Sequence, residues 1–146
     1  MFRGQHKHSI DEKGRLSIPA RFRDALESDF EAPLVVTVFD SCLVAYPSDG
    51  WRVLEAELNS RSQFDKNFRR FRRAFYSPAQ ECPIDKAGRI LLPATLRENA
   101  GLEREAVLAG MGKTFEIWAA DRHKKMTQRN LEDLEDIFQG VGDIGL

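Results

Sequence analysis

Apolar positions along the chain keep two periods, and the switches between them predict its elements. Lys7-His8-Ser9-Ile10 alternates as a short strand, and Leu16-Ser17-Ile18 alternates again after a turn, which together predict a tight hairpin. Phe22, Ala25 and Leu26 then recur at helical spacing behind Pro19, whose missing N–H costs nothing in a first helical turn. Residues 27–33 are polar enough to be a connection. Leu34-Val35-Val36-Thr37-Val38-Phe39 is the strongest strand signal, rich in branched side chains, and Cys42-Leu43-Val44-Ala45-Tyr46 returns after an Asp40-Ser41 turn. Pro47 to Trp51 reads as a turn and a helix start with Ser48 or Asp49 as its cap. Leu54, Leu58, Phe64, Phe68 and Phe71 then predict one or two amphipathic helices up to about Arg73, interrupted near Asn59-Ser60.

The same order returns in the second half. Glu81-Cys82-Pro83-Ile84 replaces the first strand, with Pro83 implying an edge, and Ile90-Leu91-Leu92 follows the turn. Pro93 starts a helix whose apolar face runs through Leu96, Ala100 and Leu102, with Gly101 as its C-terminal cap. Residues 106–110 and 114–118 form a second hairpin, in which Trp118 stands where Tyr46 stands in the first. Residues 121–130 predict a short helix, and Leu131 to Phe138 is an acidic amphipathic stretch before a glycine-containing end. The repeat is most explicit at Ile10-Asp11-Glu12-Lys13-Gly14-Arg15-Leu16-Ser17-Ile18-Pro19-Ala20, which returns as Ile84-Asp85-Lys86-Ala87-Gly88-Arg89-Ile90-Leu91-Leu92-Pro93-Ala94. An identical turn and an identical breaker describe one small unit used twice.

With 146 residues, two such units are each too small to build a large core, so they are expected to pack together. The chain divides into a first repeat at 5–51, a basic helical linker at 52–78, a second repeat at 79–122 and a helical tail at 123–146. A net charge of -1 supplies no general field for a polyanion, so any nucleic-acid site is a local patch. There is no long apolar segment and no signal-like run at the N-terminus, which points to the cytoplasm. Cys42 and Cys82 read as buried thiols rather than a disulfide or metal ligands.

Chemistry concentrates in the two turns. Asp11 and Asp85 can accept the turn's backbone N–H groups, and Gly14 and Gly88 can adopt the positive φ that other residues resist. Lys13, Arg15, Lys86 and Arg89 are left on the rim. Arg15 and Arg89 have two readings, an ion pair with the aspartate of the same turn or a contact to nucleic acid. Lys66 to Arg73 interleaves Arg69, Arg70, Arg72 and Arg73 with aromatics, which fits an amphipathic helix with wet arginines, a set of secondary phosphate contacts, or a surface facing another subunit. No enzyme is expected: His6 and His8 alternate on one strand without a clustered acidic or cysteine partner, His123 is remote, and the glycines form no phosphate loop. No cofactor or metal is implied.

The paired Asp-x-x-Gly-Arg motifs, the opening Met-Phe-Arg-Gly and the Phe115-Glu116-Ile117-Trp118 strand together resemble the MraZ family of bacterial transcriptional regulators over nearly the whole chain. The resemblance implies a mixed α+β fold with a mostly β core, in which two swapped-hairpin, AbrB-like repeats form an intramolecular pseudo-dimeric barrel with linking and C-terminal helices. It implies a nucleoid-associated, ring-shaped homo-oligomer that binds repeated double-stranded DNA elements at promoters and represses the division and cell-wall gene cluster. Within it Arg15 is the first residue expected to contact DNA, followed by Lys13, Arg89 and Lys86. Lys86 precedes Ala87 where the first motif has Glu12 before Lys13, so the two turns are expected to contribute unequally. An RNA-binding or protein-protein scaffold module is the alternative.

Overall fold

In the computed structural model, which describes residues 1–145, β1 (Gln5–Ser9) makes its ladder with a strand of the other repeat. It runs antiparallel to β7 (Glu105–Gly110), with Gln5 opposite Ala109 and Ser9 opposite Glu105. The second repeat returns the exchange: β5 (Gln80–Cys82) lies antiparallel to β3 (Leu34–Phe39), with Leu34 opposite Cys82. β4 (Cys42–Pro47) and β8 (Phe115–Ala119) join the two hairpins, completing a six-stranded sheet in the order β1-β7-β8-β4-β3-β5. β2 (Arg15–Ser17) and β6 (Arg89–Leu91) form a separate two-stranded sheet. The expected hairpin over residues 7–18 is therefore closed only at its tip, where Ile10 bridges Leu16. Past the tip its strands part, because Leu16 meets Ile90 and β1 meets β7.

Strand alternation divides the molecule into layers. One face of the large sheet offers Leu34, Val36, Leu43, Ala45, Leu108, Phe115 and Ile117 to the main core. That core is completed by Leu16 and Ile90 from the small sheet, Phe22 and Leu26 from α1 (Ala20–Asp29) and Leu96 from α4 (Ala94–Asn99). The other face carries two smaller clusters. Val35 and Val44 pack on Trp51 and Leu58 of α2 (Ser48–Ser60) and on Phe75, while Cys42, Val107 and Trp118 are covered from α5 (Ala120–Glu132). Thr37, fully buried on this second face, donates its hydroxyl to the carbonyl of Phe75 at 2.5 Å and so leaves no unpaired polar group.

Several elements depart from expectation for local reasons. α1 runs through Asp29, shortening the connection before β3. α2 begins at Ser48 without a side-chain cap, because the Ser48 hydroxyl is turned to the Pro33 carbonyl and the Asp49 carboxylate accepts the Glu31 N–H. The predicted apolar stripe also changes membership after Ser60. Phe64 precedes Asp65, the cap of α3 (Lys66–Phe71), and is 92 % exposed. A π-helical turn at Arg72–Tyr76, closed by the Ser77 N–H on the Arg72 carbonyl, then carries Phe75 into the cluster, with the partly exposed Phe71 ring stacked on it at 5.2 Å. The acidic tail forms α6 (Leu134–Val141) beyond α5. Among the described residues, no helix is long and apolar enough to cross a membrane.

Candidate nucleic-acid interface

The two Asp-x-x-Gly-Arg turns are brought together by the smallest ladder in the structure. Leu16 faces Ile90 at its centre, both fully buried, which sets Arg15 opposite Leu91 and Ser17 opposite Arg89. The repeats then trade hydrogen bonds, Ile18 N–H to the Gly88 carbonyl and Leu92 N–H to the Gly14 carbonyl, each at 2.9 Å. The turns are thereby held side by side, with Arg89 Nη1 3.9 Å from Asp11 Oδ2.

Each turn is built identically. Asp11 Oδ1 accepts the N–H groups of Lys13 and Arg15 at 2.9 Å, and its Oδ2 accepts Arg15 Nε at 2.6 Å. Asp85 repeats this with the N–H groups of Ala87 and Arg89 at 2.9 and 3.0 Å and with Arg89 Nε at 3.2 Å. The ion-pair reading of both arginines is therefore what the unbound chain adopts, and it leaves further donors. A guanidinium has five N–H donors, and binding through Nε frees the two-pronged amino edge for another acceptor. Among the described residues neither Nη of Arg15 has a hydrogen-bond partner, whereas Arg89 also leans towards Asp11. Lys13 and Lys86 are exposed beside them.

The aspartates' acidity follows from this geometry. Donation by the Arg15 backbone N–H, with the Arg15 side chain and the Lys13 N–H behind it, holds the Asp11 carboxyl below its ordinary value, and the Arg89 N–H does the same for Asp85. A depressed folded-state pKa contributes stability above the unfolded value, near 4, and loses it as pH falls through the folded one. Hydrogen exchange at the Lys13, Arg15, Ala87 and Arg89 amides should accordingly accelerate below about pH 4, beyond the change at strand-centre amides such as Val44, once corrected for the intrinsic rate.

Gly14 and Gly88 hold φ values of +86° and +78°. A Cβ at Gly14 would also lie 2.9 Å from the Arg97 guanidinium, and one at Gly88 2.8 Å from that of Arg23. These contacts involve mobile side-chain ends, so the backbone conformation sets the larger cost. Gly14→Val should lower stability by about 1 to 3 kcal/mol, and the loss should persist in an Arg97→Ala background that relieves the contact. An unchanged melting temperature would contradict this account of the turn.

The sequence of the chain matches the family described as "MraZ protein, putative antitoxin-like" twice, over residues 1–74 and again over 75–140. The chain belongs to the MraZ family. It is 44 % identical over 146 residues to the "Transcriptional regulator MraZ" of Pelotomaculum thermopropionicum, covering 100 % of this chain and 99 % of that protein. It is 40 % identical to the proteins of that name from Ligilactobacillus salivarius and Heliobacterium modesticaldum, with complete coverage of both chains in each case.

Two residues at the rim of this family member had no place in the sequence reading. Arg23 and Arg97 sit at equivalent positions on α1 and α4, donate Nε to the carbonyls of Ile18 and Leu92, and lie over the glycine of the opposite repeat's turn. Their signal was present: the repeated Pro-Ala is followed in both halves by two residues, the second apolar, and then arginine, as Phe22-Arg23 and Leu96-Arg97. With them, the turns gather six cations, Lys13, Arg15, Arg23, Lys86, Arg89 and Arg97, against Asp11, Glu12 and Asp85. The two turns are thus locally cationic on a chain with almost no net charge, while Glu103, Glu105 and Asp121 line the hollow beside Asp11, Glu12 and Arg97.

The basic linker is not part of this patch. α2, α3 and the π-helical turn pack on the sheet face away from the small sheet. Arg69 donates to the carbonyls of Gln63 and Phe64, and Arg72 donates to the Leu58 carbonyl while stacking over Tyr76 at 5.0 Å, so both serve the linker's own structure. Arg70 and Arg73 are exposed. Cys42 and Cys82 are buried free thiols, with burial pushing Cys82 up to about 11 and Cys42 further. Among the described residues no three potential metal ligands cluster.

Proposed function

We propose that this chain is a sequence-specific, double-stranded-DNA-binding regulator of transcription and not an enzyme. The observation that carries the proposal is the pair of Asp-braced arginines, Arg15 and Arg89, presented side by side by the β2–β6 ladder. Relatives named as transcriptional regulators along their full length support it. In this reading Arg15 and Arg89 reach base edges, Lys13 and Lys86 neutralise phosphates, and Asp11, Gly14, Asp85 and Gly88 shape the turns. Arg70 and Arg73 are the members of the basic linker left for secondary phosphate contacts. Residues 5–51 and 79–122 act as the two DNA-binding repeats of a pseudo-dimeric, AbrB-like barrel, joined by the 52–78 linker and followed by the 123–146 tail.

One such pair of turns contacts little DNA. Ring-shaped assembly on repeated operator elements would raise avidity through effective concentration, provided that element spacing matches turn spacing. On this reading the protein works at the nucleoid in the cytoplasm and represses its own promoter together with the division and cell-wall genes that the family resemblance indicates. The test is binding of the purified protein to its own upstream region and to a scrambled duplex of equal length over a salt series. Selective binding is expected, with log affinity falling by about 0.9 per neutralised phosphate for each tenfold rise in salt. Weak, equal binding to both duplexes would replace this reading with an RNA-binding or scaffold module. Trp118 is buried and Tyr46 half-buried, which counts against an RNA reader that stacks bases on those two rings.

A further inference from the structure

α2 and α5 are seated on the large sheet in the same way but by different chemistry. Each begins directly after the second strand of its hairpin, and the fourth residue of each, Trp51 or His123, lays its ring against that strand. Trp51 meets Tyr46 edge-on at 5.4 Å and 64°, and His123 meets Trp118 at 6.1 Å and 71°. Tyr46 and Trp118 are themselves equivalent, opposite Val35 and Val107. The outer strands complete the match, Glu81 pairing with Val35 as Lys7 pairs with Val107.

The two seats differ in what the ring nitrogen meets. Trp51 Nε1 donates to Glu55 Oε2 at 3.1 Å, one turn further along α2. Thr127 stands in place of Glu55, and His123, 8 % exposed, keeps Nε2 buried without a hydrogen-bond partner among the described residues. A neutral imidazole can leave Nε2 as a bare acceptor, but both nitrogens of an imidazolium are donors. Lys7 from β1 opposes a second cation here, and the Cys42 thiol from β4 is neutral. Glu116 of β8 is the carboxylate that favours the charge, and it already accepts Trp118 Nε1 at 2.9 Å. Glu105 of β7, Asp121 and Lys124 of α5 and His8 of β1 line the open hollow alongside. Burial holds the imidazole below its ordinary value, with Glu116 pulling it up and Lys7 down. The buried cluster beneath α5 is also small, consisting of Cys42, Val107 and Trp118, so little apolar burial keeps this helix closed.

We infer that protonation of His123 releases α5 from the sheet, making α5 an acid-operated latch, whereas its counterpart α2, seated through Trp51, does not respond. The open helix binds the proton first, near the ordinary histidine value of about 6.5. Closure is therefore complete above that pH, weakens as pH falls from it, and levels off below the lower value of the closed state. Over that span opening rises by up to about tenfold per pH unit. Release bares Cys42, which α5 otherwise covers. The latch is separate from the DNA-reading turns, since neither His123 nor Lys7 belongs to them.

Hydrogen exchange on the full chain, corrected for the intrinsic rate, tests the latch with α2 as the internal reference. Between about pH 7.5 and about pH 5.5 the opening of α5 should rise by about 5- to 10-fold, while that of α2 stays within about twofold. A pyridyl disulfide, which reacts with thiols in acid, should over the same range label Cys42 faster and leave Cys82, buried in the main core, unchanged, as read by peptide mass. His123→Phe keeps an aromatic ring without a proton site and should abolish the rise. Lys7→Met removes the opposing cation and should move the rise to higher pH. Melting curves confirm folding of both variants, and Lys7→Met decides the matter if His123→Phe does not fold. Equal acceleration of α2 and α5, a rise that persists in folded His123→Phe, or a midpoint unmoved by Lys7→Met would overturn the latch.

Discussion

Arg15→Ala should lower affinity for a single operator element by about 10- to 100-fold while leaving the fold and the assembly in place. A two-pronged arginine contact to a guanine edge is worth roughly 1 to 3 kcal/mol of discrimination. The ion pair that the substitution removes is partly exposed, about a third of each side chain being accessible, and such pairs contribute only about 0 to 1 kcal/mol. Asp11 keeps its two backbone donors, Lys13 and Arg15, after the guanidinium is gone, so the turn retains its principal braces. Binding should thus fall much further than stability. Arg15→Lys separates charge from shape: a lysine still attracts phosphate but lacks the planar fork, so non-specific binding should survive while preference over the scrambled duplex drops. Arg89→Ala should cost less than Arg15→Ala, because Arg89 already leans on Asp11 as well as on Asp85. Equal operator affinity in Arg15→Ala and parent would leave the arginine with only its ion pair. The whole comparison is made at one salt concentration, since every cation in the patch contributes to the salt dependence.

What was legible in the sequence was whatever local pattern decides. The Asp-x-x-Gly-Arg turns form as read because an aspartate, a glycine and the backbone between them settle the geometry within five residues. The β3–β4 and β7–β8 hairpins likewise follow from branched runs separated by short turns. The partner of β1 was not readable from alternation, because alternation gives a strand its faces and not its neighbour; only the likeness to a swapped-hairpin family supplied the exchange. The linker misled for a related reason. Its phenylalanines fit an α-helical stripe through Phe64 and Phe71, but α3 begins only at Lys66, which leaves Phe64 outside it, and the helical turns run on past Arg73 to bury Phe75. Arg23 and Arg97 escaped because each acts on the other repeat's glycine, a contact that no spacing within one repeat displays.

Phe2→Ala should be the most destabilising single change in the N-terminal segment, costing about 3 to 5 kcal/mol, as expected for emptying a buried aromatic site. Sequence pattern alone assigned this residue to no element, yet it is 1 % exposed. Its ring lies 5.3, 4.9 and 5.1 Å from those of Phe22, Phe30 and Phe115. Its backbone exchanges hydrogen bonds with Gly112 at 2.7 and 3.0 Å, and Gly110 has no room for a side chain because the backbone of Phe2 and Arg3 passes within 2.5 Å of where its Cβ would sit. The segment that leads β1 across to the second repeat is therefore clamped by an aromatic core on one side and a glycine-floored strand on the other. For a chain of this size the melting temperature should fall by about 10 °C or more, while Phe2→Leu, which refills most of the volume, should recover over half of that loss. The destabilised protein should lose operator binding in proportion to the fraction unfolded at the assay temperature. A melting temperature within about 2 °C of the parent would mean that the N-terminus does not hold the exchanged strand in solution.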